Sequence, residues 1–336
     1  MKIFNKDADK DLIVIAEIGV NHQGDVNYAK ELIRLAATTG ADAVKFQSYT
    51  TERYASKENM ERFERVKRFQ LSEADHIELI KVANEADIIF FSTPVTEDWI
   101  PFLNQHTPAF KIASGDITFE PVIRAAATTG KPLIISTGTA TIDEIDQAVD
   151  WVKDEIGVEK TKENLALMHC ICFYPAPIEQ ANVLSVPFLA ERYGLPVGYS
   201  NHVIESEACL AAVALGANII EIHFTDKKTD RDFHDHALSF EPQELKAFIE
   251  SAGRIKSALG QYTKTVQPCE VDLIPLVRKG VVAVRDLPEG HVITDTDLVY
   301  ARPATSFTSA ERSSLVGRKL KASVAEGHTF KRENVQ

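Results

Sequence analysis

Between residue 12 and about residue 258 the apolar positions follow two alternating rhythms. Short β-branched and aliphatic runs, "LIVIAEI", "AVKFQ", "IIFFST", "FKIAS", "LIISTG", "LALMHC", "VGYS" and "NIIEIHF", read as strands. Longer segments between them place apolar residues three and four apart and read as amphipathic helices. Examples are "VNYAKELIRLAATTG", "SEADHIELIKVANEA", "PVIRAAATTG", "IDEIDQAVDWVKDEI" and "ESEACLAAVALGA". Several end in glycine just before the next strand, in "ATTGAD", "ATTGKP" and "ALGAN", as helix C-termini commonly do. Eight such units in about 250 residues predict an α/β fold, a closed (β/α)8 TIM barrel spanning residues 1–262. An open doubly wound sheet fits less well, because no GxGxxG follows the first strand.

The rhythm changes near residue 262. The polar stretch "QYTKTVQPCEVD" leads into a linker assigned to residues 263–280, and residues 281–336 form short strand-like pieces separated by turn signals. Within them "LPEGHVITDTDLV" and "VAEGHTFKRENV" look like two copies of one element, with Glu289-Gly290-His291 echoed by Glu326-Gly327-His328. This predicts a small β-rich module with an internal pseudo-repeat. A core of that size is marginal, so the module is expected to lean on a barrel.

Composition narrows the partners. Hydrophobic residues make up 44% of the chain and charged ones 26%, which is ordinary for a folded soluble protein. The longest apolar runs fall far short of the roughly 20 residues that span a bilayer, and the polar opening lacks an apolar leader segment. The expectation is a cytoplasmic protein with no membrane segment. A formal net charge of −12 argues against nucleic acid or an anionic membrane as partner. It leaves room for a small anion held by locally placed cations. The four cysteines, Cys170, Cys172, Cys209 and Cys269, show neither zinc-type pairs nor a disulfide framework.

In barrels of this type chemistry gathers where the strands end, because eight loops converge there. Every candidate strand ends polar. The first delivers Glu17, then Asn21 and His22; the second Lys45 and Gln47; the third Ser92 and Thr93; the fourth Lys111, Ser114 and Asp116. The fifth ends in Ser136 and Thr137, the sixth leads to Cys172 and Tyr174, the seventh to Ser200, Asn201 and His202, the eighth to Glu221 and His223. A single Ser or Thr there is more often a turn or cap residue. A lysine inside an apolar run is harder to explain that way, since buried lysines require an anionic partner. Lys45 in "ADAVKFQ" and Lys111 in "PAFKIAS" therefore read as an anion cradle for phosphate or carboxylate. A lone histidine at a strand end is more often structural, but His202 and His223 occupy equivalent points of successive units. With water, and a carboxylate from Glu17 or Glu221, they would suit a catalytic divalent ion.

At these residues the sequence resembles the sialic acid synthase (NeuB) family, which joins phosphoenolpyruvate to an N-acylated amino sugar aldehyde. The matching segments are "AEIGVNHQGD", "DAVKFQSYT", "FFSTP", "AFKIASGD", "KPLIISTG", "HCICFYPAP", "GYSNH", "EIHFTD" and "DHALS". The C-terminal stretch from "VVAVRDLPEGHVITDTDLVYARPA" onward resembles the antifreeze-like (SAF) domain. The resemblance implies that His202 and His223 bind Mn2+ or Mg2+, and that Lys45, Thr93, Lys111, Ser114, Ser136 and Ser200 hold phosphoenolpyruvate. It makes Glu17 the acid/base, and places Gln47, Asp116, Tyr174 and Asp235 around the sugar. Arg302 in "YARPA" would reach the N-acyl group from the other subunit of a domain-swapped homodimer. Two positions depart from the family pattern: Cys172 stands where Asn or Ser is common, and Asp116 where Glu is common.

The chemistry so implied is attack of the enol carbon of phosphoenolpyruvate on an open-chain aldehyde, addition of water, and expulsion of phosphate. A 2-keto-3-deoxy acid remains. Three other readings compete. A metal-dependent hydrolase would want a His-x-His pair on the first strand, which "AEIGVNH" lacks. A three-deoxy sugar-phosphate synthase acting on a phosphorylated aldose would need further cations for a second phosphate, and would leave the SAF module without a role. A non-catalytic carbohydrate-binding protein leaves the set of strand-end residues unexplained.

Overall fold

The structure, a computed structural model, describes residues 1–231 and 233–336. Its contacts divide the chain into two compact units, Met1–Gly260 and Gln261–Gln336.

The first unit opens with a small antiparallel hairpin, β1 (Lys2–Ile3) and β2 (Lys6–Asp7). Eight parallel strands then close into a barrel: β3 (Ile13–Gly19), β4 (Ala43–Ser48), β5 (Ile89–Pro94), β6 (Phe110–Ile112), β7 (Leu133–Ser136), β8 (Leu165–Cys170), β9 (Val197–Asn201) and β10 (Ile219–His223). Strand β10 pairs with β3 and completes the ring. The (β/α)8 barrel expected from the alternating rhythm is thus present.

The helices of this unit are α1 (Val26–Ala37), α2 (Thr51–Tyr54), α3 (Met60–Phe69), α4 (Glu73–Glu85), α5 (Ile100–His106), α6 (Glu120–Thr128), α7 (Ile142–Ile156), α8 (Val158–Asn164), α9 (Ser185–Tyr193), α10 (Glu207–Ala214), α11 (Asp235–Leu238) and α12 (Pro242–Leu259). Their starts are chemically marked. Asp25 accepts the backbone N–H groups of Asn27 and Tyr28 at the head of α1, and Ser72 with Asp75 and Thr141 with Glu144 form reciprocal caps on α4 and α7. Among the described residues, no helix is long and apolar enough to cross a membrane.

Two apolar layers build the barrel. The larger lies between strands and helices, where buried faces such as Leu32, Ile33 and Ala36 of α1 meet Val14, Val44 and Phe46. The smaller fills the interior: Ile15, Ala43, Phe91, Ala109, Ile134, Met168 and Ile219 share one cluster with Ile3 and Phe4 of the hairpin. Phe4 meets Phe91 edge-on, ring centroids 5.0 Å apart, so the hairpin stoppers that end of the barrel. Strand β9 contributes Gly198 instead of a side chain, because a Cβ there would stand 2.3 Å from the carbonyl oxygen of Ile219. The interior is already full at that point.

In the second unit, α13 (Ile274–Val277) precedes an antiparallel pair, β11 (Gly280–Ala283) and β12 (Leu298–Ala301). Short 3-10 turns and single bridges make up much of the rest. The two copies of the pseudo-repeat pair with each other through Leu287 and Val324, whose backbones exchange hydrogen bonds of 2.8 and 2.9 Å. Val281, Leu287, Ile293, Leu298, Leu320, Phe330 and neighbours form their separate core. Asp297 is buried in this unit and accepts from Arg285, His291 and Thr294 at 2.7–3.1 Å.

Candidate active site

Side chains two apart on a strand share a face, so the residue two positions beyond each interior apolar residue points into the same barrel, one step nearer the strand's C-terminal end. Those residues are Glu17 after Ile15, Lys45 after Ala43, Thr93 after Phe91, Lys111 after Ala109, Ser136 after Ile134, Cys170 after Met168, Ser200 after Gly198 and Glu221 after Ile219. One polar layer therefore caps the apolar one. Sheet register aligns its members: Lys45 is the ladder partner of Glu17, Glu17 of His223, and Ser200 of both Cys170 and Glu221.

Above this layer opens a cavity of about 900 Å³. Glu17, Lys45, Gln47, Lys111, Ser114, Asp116, Ser136, Tyr174, Ser200, His202, His223 and Asp235 all line it. Thr93 lies just beneath, fully buried, its hydroxyl accepting a 2.9 Å hydrogen bond from Nζ of Lys45. Ser114 and Asp116 follow the end of β6 on a single 3-10 turn, where Ser114 Oγ accepts the backbone N–H of Gly138 at 3.0 Å. Of the residues proposed from the sequence, Arg302 alone belongs to the second unit, one residue past β12.

The floor is a buried charge cluster. Nζ of Lys45 lies 2.8 Å from Oε2 of Glu17 and 3.7 Å from Oε2 of Glu221. Burial opposes the Lys45 charge, but Glu17 and Glu221 outweigh it and hold its ammonium above the ordinary lysine value. Lys111 is bound more loosely. Its Nζ has Glu221 Oε1 at 3.6 Å and the Ile112 carbonyl at 3.4 Å, and burial pulls its ammonium below the usual range against the attraction of Glu221. The two carboxylates split in opposite directions. Burial pushes Glu17 up further than Lys45 pulls it down, whereas Glu221 is driven up by burial but held below the normal range by Lys111, Lys45 and a 2.8 Å hydrogen bond from Ser200 Oγ. A pair so divided can keep one carboxylate as a fixed counter-ion and the other as a proton carrier. Burial also raises Asp116 to about 6. Ser136 Oγ is buried without a hydrogen-bond partner among the described residues, leaving a donor for a guest.

His202 and His223 stand side by side with ring centroids 5.2 Å apart. Nδ1 of His202 donates to the Ile171 carbonyl at 2.6 Å, which leaves Nε2 with a free lone pair. Among the described residues Nδ1 of His223 is buried with no hydrogen-bond partner, and Asp235 Oδ2 lies 3.8 Å from it. Burial holds both imidazoles below their ordinary value, so both are neutral at pH 7. Two neutral imidazoles with unused nitrogens are the donor set a divalent ion needs, so these residues fit such an ion. Among the described residues no group of three His, Cys, Asp or Glu side chains comes together for a metal. Water and substrate would complete the sphere.

Tyr174 packs tilted against His202 at 4.0 Å between centroids and meets His223 edge-on at 5.9 Å, forming one wall. Further lining comes from a part of the chain that the periodicity passed over. Helices α2 and α3, inserted between β4 and α4, bring Arg53, Arg62 and Arg65 to the cavity. Arg53 is paired with Glu97 and Asp98. Among the described residues Arg62 and Arg65 form no ion pair. Gly24 fixes where α3 ends: its φ is +87° and a Cβ would stand 2.1 Å from the Arg68 carbonyl oxygen.

Comparison with known proteins gives three consistent findings. The NeuB family matches residues 32–264, and the SAF domain matches residues 278–335. The N,N'-diacetyllegionaminic acid synthase of Legionella pneumophila is 36% identical over 96% of this chain and 94% of its own length. Human N-acetylneuraminate-9-phosphate synthase is 33% identical over 96% of this chain and 92% of its own. Among solved structures, the N-acetylneuraminic acid (sialic acid) synthetase of Leptospira borgpetersenii, in complex with citrate, superposes with a TM-score of 0.73. That pair is 35% identical, covering 79% of this chain and 91% of the other.

Proposed function

Because the chain belongs to the NeuB family and is an enzyme of that synthase group, we propose that it condenses phosphoenolpyruvate with an N-acylated amino hexose. The products are a sialic-acid-type 2-keto-3-deoxy acid and inorganic phosphate. The observation that carries the reading is the floor of the cavity, where Lys45 and Lys111 stand among Glu17, Glu221 and unpartnered Ser136. An acidic protein there presents a local cradle for a small, multiply charged anion.

In this reading Lys111, Ser114, Ser136 and Ser200 hold the phosphate and carboxylate of phosphoenolpyruvate, with Lys45 kept charged by Glu17 and positioned by Thr93. Gln47, Asp116, Tyr174 and Asp235 surround the sugar, and Arg302 of the partner subunit in a domain-swapped homodimer contacts its N-acyl group. His202 and His223 hold Mn2+ or Mg2+, which when bound supplies Lewis-acid polarisation of the aldehyde oxygen. The enol carbon forms the new C–C bond to the aldehyde carbon, and water adds to the carbon bearing the phosphate ester. Glu17 takes the proton of that water and returns it to the oxygen that was the aldehyde's, and the C–O bond to phosphate then breaks as the new hydroxyl on that carbon gives its proton to the departing phosphate. The cytoplasm, where phosphoenolpyruvate is made, is the compartment this reading assigns.

A second reading is favoured by one observation. Arg62 and Arg65, with no ion pair among the described residues, line the cavity, where they offer charge for a phosphorylated acceptor. Incubation with phosphoenolpyruvate, Mn2+ and one acceptor at a time separates the two. N-acetylmannosamine, its 6-phosphate and a 2,4-diacetamido-2,4,6-trideoxyhexose are the acceptors to compare, with the product identified by mass. Product from an unphosphorylated acceptor supports the first reading, product from the 6-phosphate alone supports the second, and no product from any acceptor rejects both.

A further inference from the structure

The end of β8 carries two thiols in the order Cys170-Ile171-Cys172, and the condensation just described gives neither a task. Both line the cavity. Cys170 is 3% exposed, with Sγ 3.5 Å from Nδ1 of His202. Cys172 is half-buried, beside Gly138: a Cβ on that glycine would stand 2.6 Å from Cys172 Sγ and 2.8 Å from Ser114 Oγ. The two thiols stand two residues apart on one stretch of chain and line the same cavity. Between them sits Ile171, whose carbonyl receives the 2.6 Å hydrogen bond that orients His202.

We propose that Cys170 and Cys172 are a redox-modification site, a dithiol that a peroxide converts to an intrachain disulfide, displacing the Ile171 carbonyl and with it His202. One sulfur attacks a peroxide oxygen; the O–O bond breaks and a sulfenic acid forms as the first water leaves. The second sulfur then attacks the first, the S–S bond forms and the S–O bond breaks, releasing the second water. Two thiols and one hydrogen peroxide thus give one disulfide and two waters. A dithiol reductant reverses the change by exchange.

The geometry favours closure over sulfinic acid because the second thiol is two residues along the chain and lines the same cavity. It links oxidation to the site because the turn that must tighten is the one holding His202. Bound phosphoenolpyruvate, occupying the cavity both thiols line, would shield them.

The experiment uses the full chain carrying Cys269→Ser, which removes the exposed thiol of the second unit. The protein is titrated with hydrogen peroxide and mapped by mass spectrometry of the peptide holding Cys170 and Cys172, with Mn2+ binding and phosphate release followed in parallel. The expected result is a peptide lighter by two hydrogens, loss of Mn2+ binding and of phosphate release, recovery of both with dithiothreitol, and slower oxidation when phosphoenolpyruvate is present. Cys172→Ser should form no intrachain disulfide. Thiols that stay free, oxidation straight to sulfinic acid, or a disulfide that leaves Mn2+ binding untouched would overturn the proposal. The peptide map and Mn2+ binding do not depend on the reaction assigned above, so failure of that assignment would show as absent phosphate release before any oxidation.

Discussion

Nζ of Lys45 lies 2.8 Å from Oε2 of Glu17, and both side chains are closed to solvent at the floor of the cavity. The register of β3 against β4 fixes the pair, since the two residues are ladder partners. Glu221 lies 3.7 Å from the same ammonium. Desolvating two charges gains little stability by itself, so the pair is better understood as machinery than as a brace.

Glu17→Gln should therefore separate chemistry from folding. The amide keeps the volume, and Lys45 keeps Glu221, so melting should change little. Phosphate release should fall by about 100- to 10,000-fold, the usual contribution of a positioned acid/base. Phosphoenolpyruvate should bind more tightly, because a carboxylate has gone from an anion site. Calorimetric titration beside the turnover assay checks both; weaker binding with turnover preserved would remove Glu17 from its role.

Lys111→Met should act on the anion alone. Lys111 has only long contacts in the free protein, so its loss leaves Glu221 still paired with Lys45. The KM for phosphoenolpyruvate should rise about 10- to 100-fold, the worth of one charge-assisted hydrogen bond. Mn2+ binding should stay nearly intact, and equilibrium dialysis with the radioactive ion measures it.

His223→Ala should abolish Mn2+ binding and metal-dependent phosphate release together. Among the described residues Nδ1 of His223 has no hydrogen-bond partner, and burial keeps the ring neutral, so the nitrogen is available to an ion. Removal of the ring should not lower thermal stability. Retention of full metal-dependent turnover would show that the ion sits elsewhere.

A pH effect is expected in the second unit. Burial pushes the Asp297 carboxyl up, but His291, Thr294 and Arg285 together hold it below the ordinary carboxylate range. The unfolded chain, with an aspartate pKa of about 3.9, then takes up the proton first as pH falls. The stabilisation is complete above that value and is lost as pH drops through the lower folded one. Asp297→Ala should cost about 2 kcal/mol at neutral pH and flatten the acid limb. Hydrogen exchange in β11 and β12 provides the readout, and an unchanged acid limb would contradict the assignment.

Much of the site is legible in the sequence for a simple reason. Strands repeat every two residues, so an apolar residue followed two places later by Glu, Lys, Thr or Ser at the end of a strand names its layer without any coordinates. Reading the polar residues at the strand ends, the lysines inside apolar runs and the paired histidines already points to Glu17, Lys45, Lys111, Ser200, His202 and His223, and the period of two explains why the first four share one layer. The role of Glu221 was harder to see. It depends on Lys111, which lies across the closed barrel on β6 while Glu221 is on β10, and no local pattern records that distance. The arginines of α3 were missed for a different reason: "MERFERVKRF" carries charge on nearly every face, so its periodicity does not say which side meets a cavity. The hairpin β1–β2 has only two residues per strand, too few to show an alternation.

The most direct test of the central claim is phosphate release from phosphoenolpyruvate, measured with and without Mn2+, with and without an N-acylated amino hexose, and with a chelator control. Release that requires metal and sugar together is the predicted result. Release that proceeds without sugar, or is untouched by the chelator, would contradict the account.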